Sequence, residues 1–358
     1  MFPPIRKASP PNICCSVAPR APSMPARTAR MRSASSLQYT PWSQRCRPRT
    51  MGDRGGSRVR EPALDEAIQE DYMATTAAVL GTGIMGAGMA KNLAKAGFDV
   101  VVWNRSRDKA AALADSVSRV AGSAREAVAD ADIVVTMLFD EAAVRDVMAD
   151  ALPAMKDAAV WVQSATIGVD GAQRLAEQAR SARVAFVDAP VVGTRQPAEE
   201  GTLTVMAGCA PELRDAVAPV FEAVGAKTVW VGDEPGDGQR LKLVMNSWVL
   251  TIVGGTAQAV GLARGLGIDP QLFLDSIAGG GTDSPYAQLK GKAMLAGEFP
   301  PAFPLDGAAK DAGLIADALR AAGVSPVLMD ALRDRFEAGI AAGHGGEDMA
   351  SVVEAFRE

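Results

Sequence analysis

A single lysine stands near the start of the most apolar helix that the sequence predicts. Lys242 belongs to the segment Gly-Asp-Gly-Gln-Arg-Leu-Lys-Leu-Val-Met-Asn, and no charged residue follows it until Arg264. Gly238 and Asn246 lie four residues before and after Lys242, so the three share one face of a helix. Burial on such a helix lowers the pKa of an amine towards neutrality, where it can give and take protons. We therefore predict that Lys242 is a catalytic acid or base.

Few other side chains could move a proton or bind a metal. The one histidine, His344, is flanked by glycines, which favour a loop. The cysteines match no zinc or disulfide spacing, so no metal site is predicted. They are Cys14, Cys15, Cys46 and Cys209. A simpler interpretation of Lys242 stays open, in which its ammonium reaches solvent from a helix end.

A glycine-rich turn stands between two predicted strands and opens a helix. Gly-Thr-Gly-Ile-Met-Gly follows the strand at 77–80, and the next strand covers 98–103. In this setting the first glycine permits a tight turn, the second admits a pyrophosphate and the third allows helix–strand packing. The N–H groups at the helix start then face the phosphates of a dinucleotide. The predicted phosphate-binding residues are Gly81, Gly83, Ile84, Met85 and Gly86.

The residues after the second strand indicate which dinucleotide is bound. An NAD site has a carboxylate there for the ribose hydroxyls, whereas this chain has Asn-Arg-Ser-Arg at 104–107. Two guanidinium groups can hold a 2′-phosphate, and no carboxylate repels it. We therefore predict NADP rather than NAD, bound by Asn104, Arg105 and Ser106. The alternative is that Arg105 only stacks on adenine and Arg107 is solvated.

Strands and helices alternate after this unit, which predicts a doubly wound parallel sheet of the Rossmann type. The further predicted strands cover 132–138, 158–162, 183–187, 202–207 and 227–231. The later predicted helices cover 236–264, 270–278, 284–295, 305–322, 326–341 and 348–356. The fold class is therefore α/β, with a long interdomain helix and an all-α C-terminal domain. The cofactor domain is predicted at 73–235, and the domain for substrate binding and dimerisation at 236–358.

The first 72 residues differ from the rest in composition. Residues 1–60 hold twelve Arg and Lys but one acid, Asp53, and show no hydrophobic period. Such a segment is predicted to be a disordered basic tail. It lacks the apolar core of a signal peptide, its prolines disfavour a transit helix, and a nucleic-acid-binding arm is a further alternative. We prefer a start codon that is set too early, with Met73 as the natural first residue.

The rest of the chain limits the partners and the compartment. Residues 73–358 carry more acidic than basic side chains, so we predict no nucleic-acid partner. Residues 243–263 contain no charge, but polar side chains and three glycines argue against a membrane span. The folded part uses one cysteine, which favours a reducing compartment, and we expect a cytoplasmic protein.

Four motifs in order give the chain a family resemblance. They span 81–106, 188–208, 236–246 and 299–314, and the resemblance that they carry extends over about residues 77–356. The chain resembles the β-hydroxyacid dehydrogenases, which include 3-hydroxyisobutyrate dehydrogenase, glyoxylate/succinic semialdehyde reductase and the related imine reductases. The resemblance implies that Lys242 is the acid/base and that the helical domain packs against its copy in a homodimer or larger homo-oligomer. It also implies that Asn246 holds substrate and that Leu138, Phe139, Thr166 and Lys310 lie against the cofactor.

The second motif departs from the family pattern. The family has Asp-Ala-Pro-Val-Ser-Gly-Gly, in which the serine and the glycine backbone bind a substrate carboxylate. This chain has Val192 in place of the serine and Thr194 in place of the second glycine. Either Thr194, Arg195 and the Gly193 N–H bind the substrate carboxylate instead, or the substrate has no carboxylate at this position. Arg195 as a solvated loop charge is the simpler alternative. The predicted substrate-binding residues are Val192, Gly193, Thr194, Arg195 and Asn246.

The sequence thus predicts an NADP-dependent oxidoreductase that interconverts a small hydroxy compound, of the 3-hydroxy acid type, and its aldehyde or ketone. One alternative is an imine reductase on the same scaffold, although Lys242 favours carbonyl chemistry. Another is a non-catalytic NADP-binding sensor.

Overall fold

The described part of the chain, residues 75–356 of a computed structural model, contains nine strands and twelve α-helices. The strands are β1 (Thr76–Leu80), β2 (Asp99–Trp103), β3 (Arg119–Val120), β4 (Ile133–Thr136), β5 (Val160–Gln163), β6 (Ala185–Asp188), β7 (Val191–Val192), β8 (Leu203–Gly208) and β9 (Gly225–Gly232). The helices are α1 (Ile84–Lys95), α2 (Arg107–Ala111), α3 (Ala124–Val128), α4 (Glu141–Ala151), α5 (Val169–Ser181), α6 (Arg195–Glu200), α7 (Arg214–Val224), α8 (Asp237–Gly265), α9 (Gln271–Ile277), α10 (Pro285–Ala296), α11 (Leu305–Ala321) and α12 (Val327–Gly339). The predicted basic tail and Met73 lie outside the described residues.

Six strands form the parallel part of the sheet, in the order β3-β2-β1-β4-β5-β6. Consecutive connections from β1 run one way to β2 and β3, and then the other way to β4, β5 and β6. The last residues of four strands, Leu80, Thr136, Gln163 and Asp188, are neighbours in register. In an open sheet of this topology, ligands bind outside these carboxyl ends, where the strand order reverses.

The predicted fold class is confirmed, with one correction: beyond β6 the sheet is mixed, where the sequence predicted parallel strands. β8 runs antiparallel to both β6 and β7, and β9 runs parallel to β8. The short α6 and the left-handed Gly201 (φ +68°) return the chain from β7 directly to β8. So short a link reverses the chain, since parallel neighbours need a crossover of a dozen or more residues. β8 and β9 are parallel because α7 supplies that crossover.

Both faces of the sheet are buried under helices, which is why its strands are short apolar runs. Alternate residues of β1 point to opposite faces: Val79 belongs to one apolar cluster with Leu93 of α1, and Leu80 to another with Trp161. The strand at 77–80 and the helix that follows it are thus confirmed. The third cluster, which contains Leu250, Val253 and Phe336, lies among α8 and the helices after it.

The long helix α8 begins against the sheet and continues into the helical domain. Gly236 (φ +101°) precedes it, and a side chain at Gly238 would overlap the Met206 carbonyl oxygen. Among the described helices α8 alone is long and apolar enough to span a membrane, and 44% of its most apolar window is buried inside the protein. The predicted absence of a membrane partner stays a prediction.

The last segments differ in type from the predicted helices. A short π-helical turn, Ile340–His344, follows α12, and Met349–Phe356 is a 3₁₀ helix rather than an α-helix. Gly343 has a positive φ of 102°, which interrupts the α-helical path. His344 lies in this turn, and its Nδ1 is 2.8 Å from Glu347 Oε2.

Candidate active site

A cavity of about 890 Å³ lies between the carboxyl ends of the parallel strands and the helical domain. Its size is in the range of small-molecule and cofactor sites. The glycine-rich turn after β1 lines one part, the segments after β4 and β5 line the centre, and α8, α11 and the segment before α11 close it. The predicted site residues on its wall are Gly83, Ile84, Met85, Gly86, Asn104, Arg105, Ser106, Leu138, Phe139, Thr166, Gly193, Lys242 and Lys310.

The glycine-rich turn has the shape that a pyrophosphate requires. Gly81 adopts φ +106°, and its N–H donates to the Trp103 carbonyl oxygen at 2.8 Å. A Cβ at Gly86 would overlap the Gly81 carbonyl oxygen, whereas a Cβ at Gly83 would meet open space. The turn therefore packs tightly behind the cavity and leaves its outer face clear at the start of α1. The residues present fit a dinucleotide phosphate group.

The segment after β2 is held by the side chain of Asn104. Its Oδ1 accepts the Thr82 N–H at 3.1 Å, and its Nδ2 donates to the Ser106 carbonyl oxygen at 3.0 Å. Arg105, Ser106 and Lys109 then line the cavity. Lys109 was not predicted as a site residue. Its signal in the sequence is its place in the first turn of α2, which directly follows Arg105 and Ser106.

Lys242 lies inside this cavity and is 7% exposed. Within residues 75–356 its ammonium has no hydrogen bond or ion pair. Burial lowers the pKa of Lys242 to about 8; the nearby carboxylate of Asp311 opposes this shift, and the charge of Lys310 adds to it. The predicted lowering of the pKa by burial is confirmed, and the alternative of an ammonium that reaches solvent does not fit this position.

Three polar side chains from α8 and α11 surround Lys242. Asn246 is buried and donates from Nδ2 to Asp311 Oδ2 at 2.6 Å. Asp311 Oδ1 lies 2.9 Å from Lys310 Nζ, and that Nζ also donates to the Thr166 carbonyl oxygen at 2.6 Å. Lys310 therefore ties α11 to the segment after β5. Asp311 lines the cavity but was not predicted; its signal was its position directly after Lys310 in the fourth motif.

Several predicted residues lie behind or beside the cavity wall. Gly81 is buried behind the turn, and Asn246 is buried behind Asp311. Val192 and Thr194 are half-buried and are not among the lining residues. Arg195 is exposed, and its Nη2 donates to the Pro301 carbonyl oxygen at 2.8 Å. It links α6 to the segment before α11 and is neither in the cavity nor simply solvated.

The segment before α11 forms the wall of the cavity opposite the sheet. Ala302, Phe303 and Pro304 line the cavity. Asp348 Oδ2 accepts the N–H groups of Ala302 and Phe303 at 3.2 and 3.1 Å, and Lys290 Nζ donates to both Asp348 oxygens. Because this carboxylate is buried and fully paired, it holds the segment in one position.

Two family models together match almost the whole described part of the chain. The NAD binding domain of 6-phosphogluconate dehydrogenase matches residues 76–232, and the NAD-binding domain of NADP-dependent 3-hydroxyisobutyrate dehydrogenase matches residues 236–356. The chain belongs to the 3-hydroxyisobutyrate dehydrogenase family. It is an NAD(P)-dependent oxidoreductase of the kind that acts on CH–OH groups, so the alternative of a sensor without catalysis is set aside.

Individual proteins of known name or structure align over the same region. Glyoxylate/succinic semialdehyde reductase 2 of Arabidopsis thaliana is 30% identical over 281 residues, which cover 78% of each chain. The structure of the Mycobacterium tuberculosis 3-hydroxyisobutyrate dehydrogenase with L-serine is 33% identical, has a TM-score of 0.70 and covers 80% of this chain and 100% of its own. An imine reductase from Pseudomonas sp., 21% identical with a TM-score of 0.52, covers 79% of this chain and all of its own, and shares the fold.

Other chemistries find little support among the described residues. The described residues contain no group of three or more His, Cys, Asp or Glu side chains that could hold a metal ion. His344 lies outside the lining of the cavity, and Cys209 is a buried free thiol. Within residues 75–356, Lys242 and Lys310 are the cationic side chains at the helical end of the cavity, where Asp306 and Asp311 also line the wall.

Proposed function

We propose that this family member uses NADP(H) to interconvert a small hydroxy compound, of the 3-hydroxy acid type, and its aldehyde or ketone, with Lys242 as the acid/base. One observation carries the proposal. The Lys242 ammonium is buried and unpaired within the described residues, in the same cavity as the phosphate-binding turn and Thr166. A buried amine without a structural partner is explained by a ligand group that completes its surroundings.

The cofactor supplies the hydride, and the chain supplies the proton. When a carbonyl carbon gains hydride, its oxygen gains negative charge and must gain a proton. The Lys242 ammonium would stabilise this charge and then donate its proton to the oxygen. In the reverse direction the neutral amine would remove the hydroxyl proton. Asp311 opposes the loss of the positive charge, and Lys310 promotes it, so the two set the protonation of Lys242 between them.

The pH profile provides the first prediction. Since burial places the pKa of Lys242 at about 8, carbonyl reduction needs the form present below that pH and alcohol oxidation the form present above it. We expect kcat/KM for reduction to fall as pH rises through about 8, and for oxidation to rise there. Asp311→Asn removes a charge that raises this pKa, so both limbs should move to lower pH. Initial rates measured across pH in both directions test this. If the pH profiles of kcat/KM are unchanged in Asp311→Asn, Asp311 does not influence the pKa of Lys242.

The preference for NADP rests on the charges after β2. Arg105 and Lys109 line the cavity beside Ser106, so the 2′-phosphate of NADP would meet two cations where NAD offers a hydroxyl. Asp146 and Asp150 line the cavity from α4, and repulsion from them would act on a phosphate placed towards that helix. The 2′-phosphate would therefore lie on the α2 side.

We also propose that the helical domain forms the interface of a homo-oligomer. Val244 and Trp248 lie one turn apart on α8 and are 65% and 62% exposed. Further exposed apolar side chains occur on the neighbouring helices; they are Leu272, Leu289, Val327 and Leu328. A continuous apolar face of one helix can pair with the same face of a second copy about a twofold axis.

Replacement of one residue tests this interface. Trp248→Glu places a charge in the centre of the apolar face, so we expect it to shift the enzyme from dimer or larger oligomer to monomer. The molar mass from light scattering after size-exclusion chromatography measures the shift. Lys227→Glu, on the exposed β9, is the control and should leave the mass unchanged. A wild-type enzyme that is already monomeric at micromolar concentration would refute the interface.

The proposed compartment rests on one cysteine, and the proposed partner on the size of the cavity. Cys209 is a buried thiol that forms no disulfide among the described residues, as in a reducing compartment, and we propose the cytoplasm. The partner of the site is a small molecule.

A substrate panel tests the proposed function. The purified enzyme is assayed with NADPH and NADH against glyoxylate, succinic semialdehyde, the uncharged butanal and the cyclic imine 1-pyrroline. Turnover of a carbonyl compound is the expected result, and the comparison of carboxylated with neutral aldehydes decides whether the cavity holds a carboxylate. Turnover of the imine alone would favour an imine reductase, and no turnover of any compound would overturn the proposal.

A further inference from the structure

The segment after β5 is fixed by side chains from other elements. Ala165 donates its N–H to Gln163 Oε1 and accepts from Gln163 Nε2, both at 2.8 Å. Lys310 Nζ donates to the Thr166 carbonyl oxygen, as described above. Ser164, Ala165 and Thr166 all line the cavity. Beyond Ser164, whose N–H still donates to the Thr136 carbonyl oxygen of β4, the position of the segment therefore depends on side chains.

Gln239, in the first turn of α8, makes four further hydrogen bonds around this segment. Its Oε1 accepts the N–H groups of Ile167 and Gly168 at 3.0 and 3.2 Å. Its Nε2 donates to the Ala165 carbonyl oxygen at 3.1 Å and to Asp188 Oδ1 at 2.8 Å. The side chain is fully buried, and these bonds use both donors and both acceptor sites of an amide.

Asp188 completes the connection from the end of β6. Its Oδ2 accepts the backbone N–H groups of Gly236 and Gln239 at 3.1 and 3.0 Å. It thereby caps the start of α8 and orients the amide of Gln239. The segment after β5, the end of β6 and the first turn of α8 are thus joined at one buried point, and Lys242 follows three residues later on the same helix.

We propose that Gln239 is a positioning residue that sets the place of Lys242 relative to Thr166 and so to the reacting end of a bound cofactor. The inference rests on the proposed function, in which Lys242 transfers the proton. No other side chain among the described residues bonds both to this segment and to Asp188. Because proton and hydride reach adjacent atoms of the substrate, a small displacement of either source slows the reaction.

The test uses Gln239→Glu in the full-length enzyme. The glutamate keeps the volume and both acceptors for Ile167 and Gly168, but it places an oxygen against the Ala165 carbonyl and Asp188. We expect kcat for carbonyl reduction to fall by about tenfold or more, while the Kd for NADPH changes by less than about threefold. The isotope effect with NADPH deuterated at the transferred position should rise, because hydride transfer then limits the rate.

Two further variants separate positioning from folding. In Asp188→Asn/Gln239→Glu the asparagine Nδ2 can donate to the glutamate, so part of the lost kcat should return. Gln258→Glu makes the same change at an exposed position of α8 and should match the wild type. A merely structural role would lower the fraction of enzyme that binds NADPH, and leave the isotope effect and the kcat per bound NADPH unchanged.

The outcomes are distinguishable from failure of the proposed function. If the wild type turns over a carbonyl compound and Gln239→Glu keeps its kcat and isotope effect, the positioning role is refuted and the proposed function stands. If the wild type turns over nothing in the substrate panel, the proposed function itself fails. An isotope effect that rises in Gln239→Glu and not in Gln258→Glu supports the inference.

Discussion

Replacement of Lys242 by methionine should lower kcat for carbonyl reduction by about a thousandfold, within the range that a general acid contributes. Methionine is close to lysine in length and suits a buried position, so the substitution removes the proton donor and leaves the packing of α8 in place. The Kd for NADPH should change little, because the phosphate-binding turn lies at the other end of the cavity. Stopped-flow reduction rates and fluorescence titration with NADPH measure the two quantities.

Lys292→Met is the matched control for this substitution. Lys292 lies on the exposed side of α10 and has no place in the cavity, so its loss should leave kcat unchanged. Wild-type turnover in Lys242→Met would show that another group or water supplies the proton. Loss of NADPH binding in that variant would instead indicate that the substitution disturbs the cavity as a whole.

The double substitution Arg105→Ala/Lys109→Ala should abolish most of the preference for NADPH over NADH. A charge-assisted hydrogen bond contributes about 1.5–3 kcal/mol, so loss of two should reduce the ratio of kcat/KM values by about a hundredfold or more. The kcat/KM for NADH should change little, because its ribose hydroxyl needs neither cation. Steady-state kinetics with each cofactor at saturating substrate provide the ratio.

The other arginine of this segment provides the control for the cofactor prediction. Arg107 begins α2, is exposed and does not line the cavity, so Arg107→Ala should keep the preference. An equal loss of kcat/KM for both cofactors in the double variant would mean that Arg105 and Lys109 hold the part that NADP and NAD share. That result would agree with the simpler interpretation, in which Arg105 only stacks on adenine.

The first βαβ unit could be predicted in detail because its signals are local. The glycines, the apolar run before them and Gly97 at the helix end mark each boundary within the sequence, and β1, α1 and β2 follow these marks. The reversal at β8 could not be predicted in this way. Strand direction depends on which neighbour a strand pairs with, and the two-residue β7 and the short α6 give no hydrophobic period to read.

In the candidate site too, features with local sequence signals could be predicted, whereas tertiary contacts could not. The lysine, its spacing on α8 and the glycine-rich turn were found because each needs a particular residue type at a particular spacing. Gln239 and Asp188 were missed as partners, since 51 residues separate them and they belong to two different motifs whose contact no spacing indicates. Arg195 was predicted to bind substrate but does not line the cavity, and its bond to the Pro301 carbonyl depends on a tertiary contact between distant segments.

The packing of Gly238 has a consequence for redesign of this enzyme. The first turn of α8 has no room for another atom against the sheet, since a side chain there would overlap the Met206 carbonyl oxygen. Altered substrate range should therefore be sought across the cavity, at Ala302 and Phe303, whose side chains can be exchanged while their backbone N–H groups stay on Asp348. Libraries directed at these two positions would leave the source of the proton undisturbed.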